Sequence, residues 1–244
     1  MTLLSVFAPR RLATLLAADA MNVSRDPMLI FASILSVLPS IGLWLARDAI
    51  DVAGARAGIV TLSLYFVPVA LLLPAFLIGW VTGFLLIEDR DDGPLLAVDV
   101  TPVGKGGFLA YRLVVTAALT ATITVMALQL LLAAAALWLK LLILATIPAD
   151  AALAAIVLLA LARNKVEGLA LTKLTNLAAI IPLAATIPSP FRLIAGIIPT
   201  YWLGELLGLA SMGSVPSWPA AIFLIVSHLI VAVILIRLLQ SRVG

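Results

Sequence analysis

Apolar residues in this chain run in long unbroken stretches, and the polar positions gather between them. A helix needs about 20 mostly apolar residues to cross a hydrocarbon core about 30 Å thick. Six stretches qualify: residues 28–46, 58–87, 108–137, 141–162, 174–194 and 220–239. They are continuously apolar rather than alternating, and Ala and Leu dominate them, so they predict helices and exclude membrane-spanning strands. The pattern predicts an all-α integral membrane protein of six transmembrane helices, in a single domain over residues 1–244. The fourth stretch is interrupted by Pro148 and Asp150. It reads as a span over 141–162, with a short span starting near Pro148 or a re-entrant piece as the alternatives.

Composition strengthens this picture. Hydrophobic residues make up 64% of the 244 and charged residues 11%, against roughly 45–50% and about 25% in soluble domains. One globule of this size cannot hide that much apolar surface, which excludes a soluble enzyme. With no cysteine, disulfides and thiolate metal sites are excluded too. A net charge of +3 over the whole chain forms no basic stripe for nucleic acid.

The basic residues set a predicted orientation. With the N-terminus inside, the inner side holds Arg10, Arg11, Arg25, Arg90, Lys105, Arg112, Arg163, Lys165, Lys173, Arg237 and Arg242. The outer side holds Arg47, Arg56, Lys140 and Arg192. Both termini are therefore expected in the cytoplasm. Residues 1–26 read as a helix on the cytoplasmic surface, with Leu12, Leu15 and Leu16 dipping into the bilayer. The rival is a short signal peptide ending at Ala18-Asp19-Ala20. Asp26-Pro27 reads as a cap and first-turn proline opening the first span.

Two inner loops concentrate the informative polar residues. Residues 88–107 begin with Glu88, Asp89, Arg90, Asp91, Asp92 and Gly93-Pro94, pass through apolar Leu95, Leu96, Val98 and Val100, and stop at Thr101-Pro102. A helix of one or two turns is not stable alone in water. It must dock on another protein or rest on the bilayer, and the residues alone do not choose. The four clustered carboxylates raise a phosphotransferase-like metal site. Asp92-Gly93 is not followed by Ala-Arg at the needed spacing, however, and no later Asp pair sits one turn apart, so no metal site is expected. The second inner loop, residues 163–173, is polar for only a few residues and makes a tight corner around Lys165 and Glu167.

With these residues in view, the chain resembles the type-two ABC-transporter permeases, especially the fluoroquinolone export permease subgroup. The resemblance rests on Asn22-Val23-Ser24-Arg25-Asp26-Pro27, on residues 88–112, on Asn164-Lys165-Val166-Glu167-Gly168-Leu169-Ala170-Leu171-Thr172-Lys173, and on Pro199-Thr200-Tyr201-Trp202. It covers nearly the whole chain in order. Where that family has Glu-Gly-Thr, this chain has Asp92-Gly93-Pro94, which keeps a helix start, removes a hydroxyl and stiffens the turn. The resemblance implies a cytoplasmic coupling helix in the first inner loop, seated on a separate ATPase subunit. Glu88, Asp91, Asp92, Gly93, Leu95, Leu96, Val98, Thr101, Pro102, Asn164, Lys165, Glu167 and Gly168 would carry the coupling. It also implies two permease and two ATPase subunits, as homodimer or heterodimer, with ATP and magnesium bound by the partner and no cofactor in this chain. Short helices over residues 191–219 would lie at the outer surface, and the setting would be a bacterial or archaeal plasma membrane. Independently, no Gly-x-x-x-x-Gly-Lys-Ser/Thr phosphate loop occurs, so the chain is not expected to hydrolyse ATP.

Within the spans, Thr116, Thr120 and Thr124 recur every four residues on one helix face, with Thr122 and Gln129 on another. They either line a substrate pathway or bond their own and neighbouring helices. Gly79 and Gly83 form a small-residue pair for close helix packing, and Pro68 and Pro74 predict kinks. His228, the single histidine, reads as a helix–helix hydrogen bond because no intramembrane acidic partner is evident; a proton relay is the sharper alternative. Glu205 reads as a solvated interfacial acid or an outer gate. Neither a His-Glu-x-x-His motif nor the histidines for a conventional triad are present. The resemblance implies an exporter subunit for a hydrophobic or amphipathic molecule. Its rival is an ATPase-independent transporter or scaffold, for which Asp150 is the lone candidate carboxylate within a span.

Overall fold

The computed structural model describes residues 9–59, 61–91, 103–209 and 218–243. Among them every regular element is helical. The order is α1 (Pro9–Arg25), α2 (Pro27–Leu35), α3 (Leu38–Arg56), α4 (Leu62–Asp91), α5 (Gly104–Leu131), α6 (Leu137–Leu161), α7 (Lys165–Ile180), two 3-10 turns (Ile181–Thr186 and Pro190–Ile197), α8 (Tyr201–Leu206) and α9 (Trp218–Val243). Six stretches are long and apolar enough to cross a membrane: α2 with α3, then α4, α5, α6, α7 with the first 3-10 turn, and α9. The chain is an all-α, multi-pass membrane protein.

α4 is the spine, packed against α2, α3, α5, α6 and α7. Nearly nine-tenths of its most apolar window is buried inside the protein, 89% against 22% for the last span. In a membrane, close contact rather than hydrophobicity joins helices, and small residues permit it. Gly79 and Gly83 provide it toward α6. A Cβ on Gly83 would stand 2.9 Å from the Leu158 Cβ, and one on Gly79 would run into the Ala151 carbonyl. Pro68 and Pro74 are both buried within α4, which continues through them. Ser40 bonds the Ala70 carbonyl at 3.0 Å, tying α3 to the same helix.

Several boundaries differ from the sequence pattern. The first span is two helices meeting at Ser36-Val37, because Pro39 in the first turn of α3 has no N–H to continue the ladder. Helix then runs on to Arg56, where Gly58 at φ +81° makes the turn. The fourth span is neither short nor re-entrant: α6 passes unbroken through Pro148 and Asp150. The fifth begins at Lys165, not residue 174, so most of the supposed 163–173 loop is helix. The Asn164 side chain caps it, accepting from the Glu167 N–H at 2.9 Å, while the Glu167 carboxylate accepts from the Arg163 N–H at 2.8 Å. Asp26 does cap α2, accepting from the Met28 and Leu29 N–H groups.

Candidate functional site

Side-chain chemistry gathers where α4 ends, α5 begins, and α6 turns into α7. Arg90, in the last turn of α4, reaches across to the end of α6. Its Nη1 donates to the Leu159 and Ala162 carbonyls at 3.3 and 2.9 Å, and its Nη2 to the Arg163 carbonyl at 2.9 Å. These carbonyls have no partner within their own helix, and a cation there also meets the negative end of the helix dipole. Beside this clamp, Lys165 pairs with Glu88 at 3.2 Å. Gly168 lets α7 approach α4, since a Cβ there would stand 3.1 Å from Ile87 and Phe84.

One helix face away lies a buried ionic cluster that joins three elements. Arg112 of α5 is 3% exposed, and its Nη2 meets Asp89 of α4 at 2.7 Å and Asp19 of α1 at 3.0 Å. Tyr111 donates to Asp19 at 2.9 Å, and the Phe108 ring lies 5.0 Å from the guanidinium. Leu12 and Leu15 of α1 pack on Phe108 and Tyr111. Burial pushes the Asp19 carboxyl above its usual range, despite the opposing pull of Arg112 and Tyr111. α1 is therefore docked on the bundle as well as amphipathic.

Next to this cluster opens an apolar cavity of about 700 Å³ between α1, the α2–α3 break, α4 and α5. Ile30 and Ile34, Val81 and Leu85, and Leu119 and Ile123 supply its walls, while Thr82, Thr116, Arg112 and Asp19 supply polar atoms. A smaller cavity of about 200 Å³ lies beside Asp26, Glu88 and Lys165.

The predicted site residues are distributed unevenly over this geometry. Glu88, Asp91, Asn164, Lys165, Glu167 and Gly168 fall at the same end of the bundle, around the Arg90 clamp. Asp92, Gly93, Leu95, Leu96, Val98, Thr101 and Pro102 lie outside the described residues. Thr116, Thr120 and Thr124 are all buried. Thr116 bonds the Arg112 carbonyl and the Thr82 hydroxyl, and Thr124 bonds the Thr120 carbonyl, so this face meets neighbouring protein and its own backbone. Of the three, Thr116 lines the cavity; Gln129 is exposed on the bundle surface. Glu205 lies at the opposite end, paired with Arg192 at 3.0 Å and bonded by Tyr201, whose hydroxyl pKa is pushed up to about 12 by burial and Glu205. It is a partnered acid, not a solvated one.

His228 requires a correction. An acidic partner exists: its Nε2 lies 3.0 Å from the Asp150 carboxylate, and its Nδ1 lies 2.7 Å from the Leu224 carbonyl. The pair is 78 residues apart in sequence, and packing α6 against α9 brings it together. Both ring nitrogens thus face oxygen, which requires two N–H donors on histidine or a proton on Asp150. Arg90 and Arg112 were also legible only as topology charges. Their spacing along α4 and α5 carries no sign of the partners that other helices bring.

A six-span helical bundle with a buried spine and a buried ionic cluster at one end has the architecture of a polytopic membrane protein. Similarity to known proteins places it within that class. A family model described as Fluoroquinolones export permease protein Rv2686c-like matches residues 19–236, and the chain belongs to that family. It is 29% identical to the fluoroquinolones export permease protein Rv2686c of Mycobacterium tuberculosis strain ATCC 25618 / H37Rv, over 98% of this chain and 97% of the relative. The protein MT2760 of strain CDC 1551 / Oshkosh, which bears the same permease name, matches equally well. No solved structure matches.

Proposed function

We propose that this chain is the membrane-spanning subunit of an ABC exporter moving a hydrophobic or amphipathic, drug-like or lipid-like molecule outward. The observation that carries the reading is the family match across residues 19–236, with relatives named as fluoroquinolone export permeases. The geometry supports it mechanically. Residues 92–102 connect α4 to α5, and Arg90 pins the end of α4 to the end of α6. A force on the connecting segment therefore reaches three spans at once.

In this reading a separate ATPase binds ATP and magnesium, docks on residues 88–102, and closes on nucleotide. Closure pulls the segment and tilts the bundle from inward-facing to outward-facing. Two permease subunits face each other in the membrane, and both termini are cytoplasmic. Leu95 and Leu96 are the apolar anchors, each worth roughly 1.5–3 kcal/mol when fully buried. The Leu95→Asp, Leu96→Asp double variant should retain membrane insertion but lower ATPase capture by more than about tenfold, the equivalent of about 1.4 kcal/mol. Full capture by that variant would remove residues 88–102 from the docking role.

A second reading, proton-coupled transport without an ATPase, draws on the Asp150–His228 pair as an intramembrane protonatable site. It expects efflux that persists when the ATPase gene is deleted and collapses with the proton gradient. The export reading expects the opposite on both counts.

A further inference from the structure

We propose that the cavity between α1, α2, α4 and α5 is a binding site for a lipophilic organic cation, with Asp19 as its charge-recognising residue. This deepens the export reading by naming a ligand class, and it rests on that reading only for the outcome of binding.

The shape comes first. At about 700 Å³ the cavity falls within the usual range for small-molecule sites, about 300–1,000 Å³. Its walls are almost wholly apolar. Its mouth reaches the bundle surface, where Ile34 is 61% and Leu119 56% exposed. A molecule dissolved among acyl chains meets that mouth without crossing water.

Charge then selects the ligand. Asp19 lines the cavity and keeps part of its side chain exposed, 20% against 3% for Arg112. Its ionic partner is shared, because Nη2 of Arg112 serves both Asp19 and Asp89. Asp19 thus has only a fraction of that cation. Burial still pushes the Asp19 carboxyl upward with Arg112 in place, as expected for incompletely compensated negative charge. The Nε and Nη1 of Arg112 are buried and its Nη2 is held by two carboxylates, which leaves Asp19 as the charged side chain that meets the ligand's positive group.

The absence of cysteine makes a direct test possible on the full chain in detergent. Ser33 lines the cavity, and Ser33→Cys provides a thiol there of nearly unchanged size. Tetraphenylphosphonium should slow labelling of that thiol by N-ethylmaleimide. Tetraphenylborate, of the same shape and opposite charge, should not at the same concentration. A remote Asp48→Cys thiol should be unaffected by either. Adding Asp19→Asn should raise the half-protecting concentration more than about tenfold, as when one partner of a desolvated charge pair is lost. Asp19→Glu, which keeps the charge, should restore protection and guards against a merely structural effect of the amide. Equal protection by the two probes, unchanged protection in Asp19→Asn, or its absence in Asp19→Glu would overturn the proposal. Binding needs no ATPase, so the two readings fail separately. Lost protection with normal ATPase capture removes the cation site alone, and protection by a chain that captures no ATPase removes the exporter reading alone.

Discussion

Arg90 and the Asp150–His228 pair show how much single side chains contribute inside a helical bundle. Arg90 bonds three carbonyls at the end of α6 through two guanidinium nitrogens. Lysine has the same charge but lacks the planar fork. Arg90→Lys should therefore lower stability by about 1.5–3 kcal/mol, the range for hydrogen bonds to charged groups, read as a reduced melting temperature of the detergent-purified protein. At the buried pair the sign depends on which partners are changed. Asp150→Leu leaves the buried His228 Nε2 without its partner, at a cost of about 1–3 kcal/mol for an unsatisfied buried polar group. Adding His228→Leu should recover most of that loss. A double variant as unstable as the sum of the singles would show that the two residues act independently.

At the scale of elements, the α4–α6 contact depends on the missing side chains of Gly79 and Gly83. Gly83→Leu must push α6 away, and overpacking of this kind costs about 1–3 kcal/mol. Gly42→Ala is the matched control, because a Cβ there meets nothing within 4 Å, and its melting temperature should not fall. The start of α7 offers a finer test. Asn164→Ala removes the cap on the Glu167 N–H and should cost about 1 kcal/mol. Amide exchange in the first turn of α7 should then speed up while exchange in α4 stays slow. The small-residue pair was visible in the chain, whereas the Asn164 cap was hidden in what reads as a polar corner over residues 163–173. The break at Ser36-Val37 was signalled by Pro39, but the hydropathy of the stretch masked it.

For the whole molecule, the positive-inside pattern and the alternation of six spans predict one arrangement across the membrane. Asp48 is exposed near one end of the bundle, and Val166, 79% exposed, lies at the other. In intact cells an impermeant thiol reagent should label Asp48→Cys and leave Val166→Cys untouched. Asp51 is less suitable, since its carboxylate holds the Ser63 backbone and hydroxyl at the start of α4. Reversed labelling would invert the molecule and remove residues 88–102 from the cytoplasm.

Read alone, the chain determined that it is an all-α membrane protein, and it located all six spans, with limits off by up to ten residues at the end of the first. Both follow from solvent physics: a bilayer core demands continuous apolar runs, and every backbone group must be satisfied within its own helix. Such rules act over about 20 neighbouring residues and are legible locally. What sits inside the bundle was decided by tertiary structure. Asp19, Asp89 and Arg112 come from three separate helices, and Asp150 meets His228 across 78 residues. No period or spacing encodes those meetings, because they depend on how helices rotate about their axes when small residues let them approach. The threonine face illustrates the division. Its four-residue period was plain in the sequence, yet only packing decided that Thr120 and Thr124 face protein while Thr116 reaches the cavity.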